Sequence, residues 1–201
     1  MRQQNPVLNF RMPKLAFLTV GLLHEEIYSP RSKGFLDRLP EVYTAADHSD
    51  GFDSRSIRDL ATYKHSWGEV IPPACYAHAG EDNRFAMTLS LWSDLESVAA
   101  FAYHGPHAEA LTKRHEWFVK FNLPAYVAWW VADEVSITWT EGSERLDHLY
   151  AHGSTPFAFN FAKPFDSQGK PVRLDSAAVR LKAALNSKVA PGQTQPPAHL
   201  L

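Results

Sequence analysis

Tyr103, His104, His107, Arg114, His115, Glu116 and Trp117 crowd together in residues 103–117, the densest cluster of polar and aromatic side chains in the chain. His107 and Arg114 stand seven positions apart. Seven positions are two helical turns, so on a helix they share a face, with Leu111 between them and Phe118 beyond. An imidazole and a guanidinium on an otherwise apolar stripe can bind an anionic group or work as acid and base. In that reading His107 and Arg114 polarise or deprotonate a substrate, assisted by Tyr103 or His104. The plain alternative is that His107 packs at a helix start while Arg114 pairs with a surface carboxylate.

His104 precedes Gly105 and Pro106. A histidine in such a break can ligate a haem iron from a helix end. The spacing His104-x-x-His107 also suits a metal, but Glu109 or Glu116 would have to complete the shell and nothing sets four ligands, so no metal site is expected. The cofactor expectation is therefore none or haem. His148 and His152 share a helix face, yet the segment His-Leu-Tyr-Ala-His lacks the Glu of a zinc-protease motif. Packing or solvation at a helix end accounts for them.

Trp92, Trp117, Trp130 and Phe118 are the candidate walls of a substrate pocket, suited to a flat, conjugated or polycyclic molecule. Trp129 and Trp130 are adjacent, so in a strand they point to opposite faces, one towards a helix-side pocket and the other towards a dimer seam. Four of the six Trp lie in residues 92–130, among three His and Arg114. There is no Gly-rich phosphate loop, nucleophile elbow or CxxC. Cys75 follows Pro72-Pro73-Ala74 with no motif around it and reads as a structural thiol.

The elements that must position these residues follow from periodicity and punctuation. Leu15 to Leu23 reads as a buried strand and 34–46 as a helix that Pro40 kinks or breaks. Residues 52–58 suggest a short strand, while 59–82 resist assignment. Arg84 to Trp92 alternates as a strand, and Ser93-Asp94-Leu95-Glu96 has the form of a capping box that opens a helix. His104-Gly105-Pro106 interrupts it. A second helix runs over 107–121 and Pro124 stops it. Tyr126 to Val131 is a strand. Thr138 or Thr140 caps a helix over 141–152 that ends at Gly153. Phe157 to Phe161 suggests a last strand, 176–187 a weak helix, and Pro, Gly, Gln and Thr dominate from Ala190. The order strand, helix, strand, strand, helix, strand is the split βαβ or ferredoxin-like pattern, an α+β fold with an antiparallel sheet and helices on one face. Apolar residues on both faces of 85–91 and 126–131 call for a second sheet across a homodimer.

The 201 residues carry 20 Lys plus Arg against 22 Asp plus Glu, a net charge of −2, and 12% aromatic residues. That balance excludes wholesale disorder and a polybasic nucleic-acid binder. One cysteine excludes an internal disulfide and suits a reducing compartment. No apolar run reaches membrane-spanning length, and the nine-residue run Leu15–Leu23 lacks a cleavage site after it. A cytoplasmic protein without membrane or nucleic-acid partners is expected.

Leu15 to His24, Gly34 to Pro40, Ser90 to Ser97, Phe101 to His107, Arg114 to Phe118, Trp129 to Val131 and Arg145 to Leu149 resemble, in order, the DUF3291 family. The resemblance implies a dimeric α+β barrel related to antibiotic-biosynthesis-type monooxygenases, haem-degrading enzymes, chlorite dismutases and stress-response barrels. It divides the chain into an extension (1–13), the barrel domain (14–162), an appendage (163–187) and a disordered tail (188–201). The function it implies is a monooxygenase-like oxidoreductase acting on a hydrophobic or aromatic small molecule. The alternatives are a haem-binding barrel with a His axial ligand, and a non-catalytic ligand-binding or stress-response barrel.

Overall fold

Residues 12–80, 82–132 and 136–188 are described by a computed structural model. The expected disordered tail lies outside these residues from 189 on, as do residues 1–11 of the extension. The chain order is β1 (Lys14–Leu22), α1 (Lys33–Leu36), α2 (Leu39–Asp47), β2 (Phe52–Arg55), β3 (Phe85–Trp92), α3 (Leu95–Tyr103), α4 (Gly105–Trp117), β4 (Tyr126–Val131), α5 (Trp139–His152) and α6 (Ser176–Asn186). The strands form one open antiparallel sheet in the order β2-β3-β1-β4. β3 thus enters between β1 and β2, which is what splits a βαβ unit.

Register decides which side chains share a face. Leu15 lies between Trp92 and Trp130, and Phe17 between Ser90 and Ala128. This front face meets α2 and α3 in a core that includes Trp92, Leu95, Val98 and Ala46. Ala16, Leu18 and Val20 face the other way, with Leu89, Val127 and Trp129 beside them. The helices do not keep to one side, contrary to the sequence expectation. α5 lays Trp139, Leu146 and Leu149 on the back face, and Tyr76 joins them from the long β2–β3 connection. Part of the apolarity that suggested a second sheet is therefore covered within the chain, with Leu89, Val127, Trp129 and Val131 buried and Phe85, Met87, Leu91, Tyr126 and Trp130 half-buried. A side chain of this size contributes about 1.5–3 kcal/mol on burial, so covering this face is a first-order term in stability.

Several local expectations shift for identifiable reasons. The helix expected over 34–46 is two helices, with Pro40 in the first turn of α2, where a missing N–H costs nothing. β2 ends at Arg55, three residues short of the expected strand end. The N-cap of α3 is Asp94, whose carboxylate accepts from the Ser97 amide at 2.7 Å. Ser93 donates instead to the Gly51 carbonyl, and Glu96 accepts from the Asp175 amide. The N-cap is therefore displaced by one residue, a charged acceptor replacing a hydroxyl, and the reciprocal bond of the expected capping box is not made. Of the two threonines considered for α5, Thr138 caps it, accepting from the Glu141 amide, and Gly153 at φ 71° closes it.

α4 begins at Gly105 and stops at Trp117, well before Pro124. Phe118 turns extended and bridges to Leu23, so pairing with the end of β1 replaces the helix. Phe157–Phe161 forms no full strand. Phe159 makes a single bridge to Ala128, exchanging two backbone hydrogen bonds that cover the free edge of β4. The chain then continues into the front core through Phe165, Val172 and Leu174. Among the described residues, no helix is long and apolar enough to cross a membrane.

Candidate functional site

The His107 Nδ1 donates to the Ala102 carbonyl at 2.9 Å, and the ring packs on Phe101 with centroids 4.8 Å apart. Burial holds this imidazole below its ordinary pKa, against the smaller opposing effect of that hydrogen bond. The ring is thus a neutral link that satisfies a carbonyl in the last turn of α3, where intrahelical donors run out. Arg114 is exposed and donates to the Leu111 carbonyl of its own helix at 2.8 Å. The shared helical face therefore does not become a shared pocket. His104 is exposed at the junction of α3 and α4. Tyr103, 51% exposed, stands over Phe161 at 6.2 Å between ring centroids.

The expected pocket walls are packed. Trp92 is buried, stacks near Phe101 and donates its indole N–H to the Ser90 hydroxyl. Trp117 is buried against Gly34, with the Arg38 guanidinium 5.0 Å from its ring centre. Phe118 lies so close to Gly21 that an added Cβ there would meet its ring at 2.6 Å. Trp130 is half-buried and donates to the Phe165 carbonyl at 2.7 Å, pinning the chain beyond β4. A haem needs a deep apolar slot beside a free imidazole. His104 is on the surface and His107 is flanked by Phe101, so these residues do not fit that group. His148 packs on Phe157 and His152 and lies 3.1 Å from the Thr155 hydroxyl, which is packing at a helix end.

Two surface hollows stand out. The larger, about 640 Å³, is lined by residues 57–62 and 64–66 of one loop. Its walls come from a single, largely exposed segment, a loop closed on itself by the Arg58–His65 bridge and by backbone hydrogen bonds from Asp59 to Lys64 and from Ser66 to Ile57. The smaller, about 330 Å³, is built from three separate segments. Cys75, His78 and Ala79 come from the β2–β3 connection, Phe121, Asn122 and Leu123 from the α4–β4 loop, and Tyr150 from α5. Its size suits a small ligand.

The walls of this second cleft are tied together. The Asp147 carboxylate on α5 accepts from the Ala74 and Cys75 amides, both at 2.8 Å, and so clamps the short 3₁₀ turn Ala74–Tyr76 to the helix. The Tyr76 hydroxyl donates to the Pro124 carbonyl at 3.1 Å, and its ring meets Phe121 edge-on at 6.1 Å between centroids. The Val20 amide donates to the Ala125 carbonyl, fastening the same loop to β1. Burial pushes the Cys75 thiol up to about 12, and the Asp147 carboxylate adds to the rise. The thiol is therefore a weak hydrogen-bonding group at neutral pH and no nucleophile. Burial likewise lifts the Tyr76 phenol to about 12. In the sequence Cys75 stands out only as a structural thiol, and Phe121 and Tyr150 only as parts of helices. No spacing rule joins positions 75, 121 and 150.

A family model, that of a domain of unknown function, DUF3291, matches residues 14–175. No curated protein and no solved structure matches the chain.

Proposed function

The chain belongs to the DUF3291 family, and from that premise we propose that it is a non-catalytic binding protein for a small hydrophobic or aromatic molecule, held in the cleft between Cys75–Ala79, Phe121–Leu123 and Tyr150. The observation that carries this reading is the cleft itself: three distant segments, cross-tied through Asp147, Tyr76 and Val20, around an apolar lining with a polar rim. Pre-formed walls lower the ordering cost of binding. Of the four residues expected to do chemistry, His107 is engaged at Ala102 and Arg114 at Leu111, while His104 and Tyr103 are exposed and line neither hollow. This favours binding over monooxygenase-like turnover. The strand order β2-β3-β1-β4 supports kinship with ferredoxin-like α+β proteins, which is part of the same proposal.

A thermal-shift screen of hydrophobic small molecules on the full chain tests it. Saturable stabilisation by a ligand is expected, with affinity lowered about tenfold or more in Leu123→Asp, which places an unpaired charge in the lining. His107→Ala is expected to bind as the parent does and to lose about 1–3 kcal/mol of stability, because the Ala102 carbonyl loses its donor. Binding abolished by His107→Ala in a folded variant, or turnover dependent on His107, would overturn the reading.

A further inference from the structure

The lining of the cleft also discriminates between ligand types. None of its seven residues carries a fixed charge: the polar groups are the Cys75 thiol, the His78 imidazole, the Asn122 amide and the Tyr150 phenol. Among the described residues, the carboxylate bonded to its wall, that of Asp147, is already engaged by the Ala74 and Cys75 amides. A charged ligand head would lose hydration against Phe121, Leu123 and Ala79 with no fixed counter-charge among the lining residues to meet it. The polar side chains of the rim have the opposite preference. Asn122 offers both a donor and an acceptor, and the Tyr150 hydroxyl can act as either. His78, Asn122 and Tyr150 are exposed while Cys75, Ala79, Phe121 and Leu123 are half-buried, so hydrogen-bonding groups border a deeper apolar part whose aromatic ring, Phe121, is packed on Tyr76.

On the footing that this cleft binds a small molecule at all, we infer that its ligand is an uncharged, planar aromatic compound bearing a hydroxyl or an equivalent hydrogen-bonding group, recognised by Asn122 and Tyr150 over Phe121. The ring supplies dispersion and apolar burial against the lining. The hydroxyl supplies direction, because one rim group can accept its proton while another donates to its oxygen.

Calorimetric titration of the full chain with a matched set of probes tests this. The set is 2-naphthol, naphthalene, 2-naphthoate and 2-naphthylmethylammonium at neutral pH. The expected order puts 2-naphthol first, about fivefold or more tighter than naphthalene and than either charged analogue. In Tyr150→Phe and Asn122→Leu, both at exposed positions, the preference for 2-naphthol over naphthalene is expected to shrink towards unity while naphthalene affinity holds. Equal affinity across the four probes, tighter binding of a charged one, or a preference untouched by both substitutions overturns the ligand class and leaves the binding reading standing. Binding of none of the four overturns both.

Discussion

Cys75 shows how far one residue's chemistry depends on its surroundings. A lone thiol invites a nucleophile reading, yet burial and the nearby Asp147 carboxylate raise its pKa from 9.0 to about 12. Three units mean about a thousandfold less thiolate at any pH well below both values. Alkylation by iodoacetamide at mildly alkaline pH is therefore expected to run at least tenfold slower than for a free cysteine, and unfolding in urea should restore the ordinary rate. A native thiol that reacts at the free rate would show that Asp147 and burial do not control it. His107 teaches the same lesson. Its place on an apolar helical stripe was visible in the sequence, but the carbonyl it would bond was not, because Ala102 belongs to the preceding helix.

Among the elements, α3 and α6 are joined in a way that separates strong from weak contributions. Asp94 caps α3 through the Ser97 amide and hydroxyl, both at 2.7 Å. The same carboxylate lies 3.3 Å from Lys182 on α6, which also pairs with Asp50. α6 buries no residue fully, so its attachment rests on half-buried Val179 and Ala183, these ion pairs, and the Asn186 side chain accepting from the Asp50 amide. Lost caps cost about 0.5–2 kcal/mol, whereas ion pairs of this exposure contribute about 0–1 kcal/mol. Asp94→Ala is thus expected to lower global stability by about 1–2 kcal/mol in urea denaturation. Lys182→Ala should leave global stability within about 1 kcal/mol while hydrogen exchange in α6 accelerates. Equal global losses from the two substitutions would mean that α6 folds as one unit with the sheet.

At the scale of the whole molecule, the titrating groups set a direction for acid sensitivity. Burial holds His107 below its ordinary value of 6.5, and burial with the Arg58 charge does the same for His65. As pH falls past about 6.5 the unfolded chain takes up these protons before the folded one does, so stability is full above that value and declines below it. A second decline follows below about 3.8. Hydrogen bonds from Ser97 and the charge of Lys182 hold the Asp94 carboxyl low against the opposing effect of burial, and Lys14 does the same for Asp53. Denaturation midpoints measured from pH 8 to pH 3 should fall in those two windows. A midpoint constant between pH 7 and pH 5 would contradict the histidine contribution.

How much was legible in the sequence followed the range of the interactions. Strand cores at 85–92 and 126–131, the break at His104-Gly105-Pro106 and the stop at Gly153 are set by neighbours within a few residues, and they were readable as alternation, proline and glycine. The opposition of Trp129 and Trp130 follows from the two-residue period of a strand, and the register beside Ala16 and Leu15 realises it. The end of α4 was not readable, because the competitor for its last turns is a bridge from Phe118 to Leu23, far away in the chain. Nor was it readable that α5 would seal the back of the sheet, since an apolar helix face does not name the surface it will meet. The cleft lies furthest from sequence reasoning. Its seven residues come from three segments held together by Asp147 on the 3₁₀ turn and by Tyr76 on the Pro124 carbonyl. The sequence by itself determined the alternating strands, the helix stop at Gly153 and the family. The tertiary structure alone decided which polar groups face a common space, because long-range packing, unlike local propensity, has no period to read.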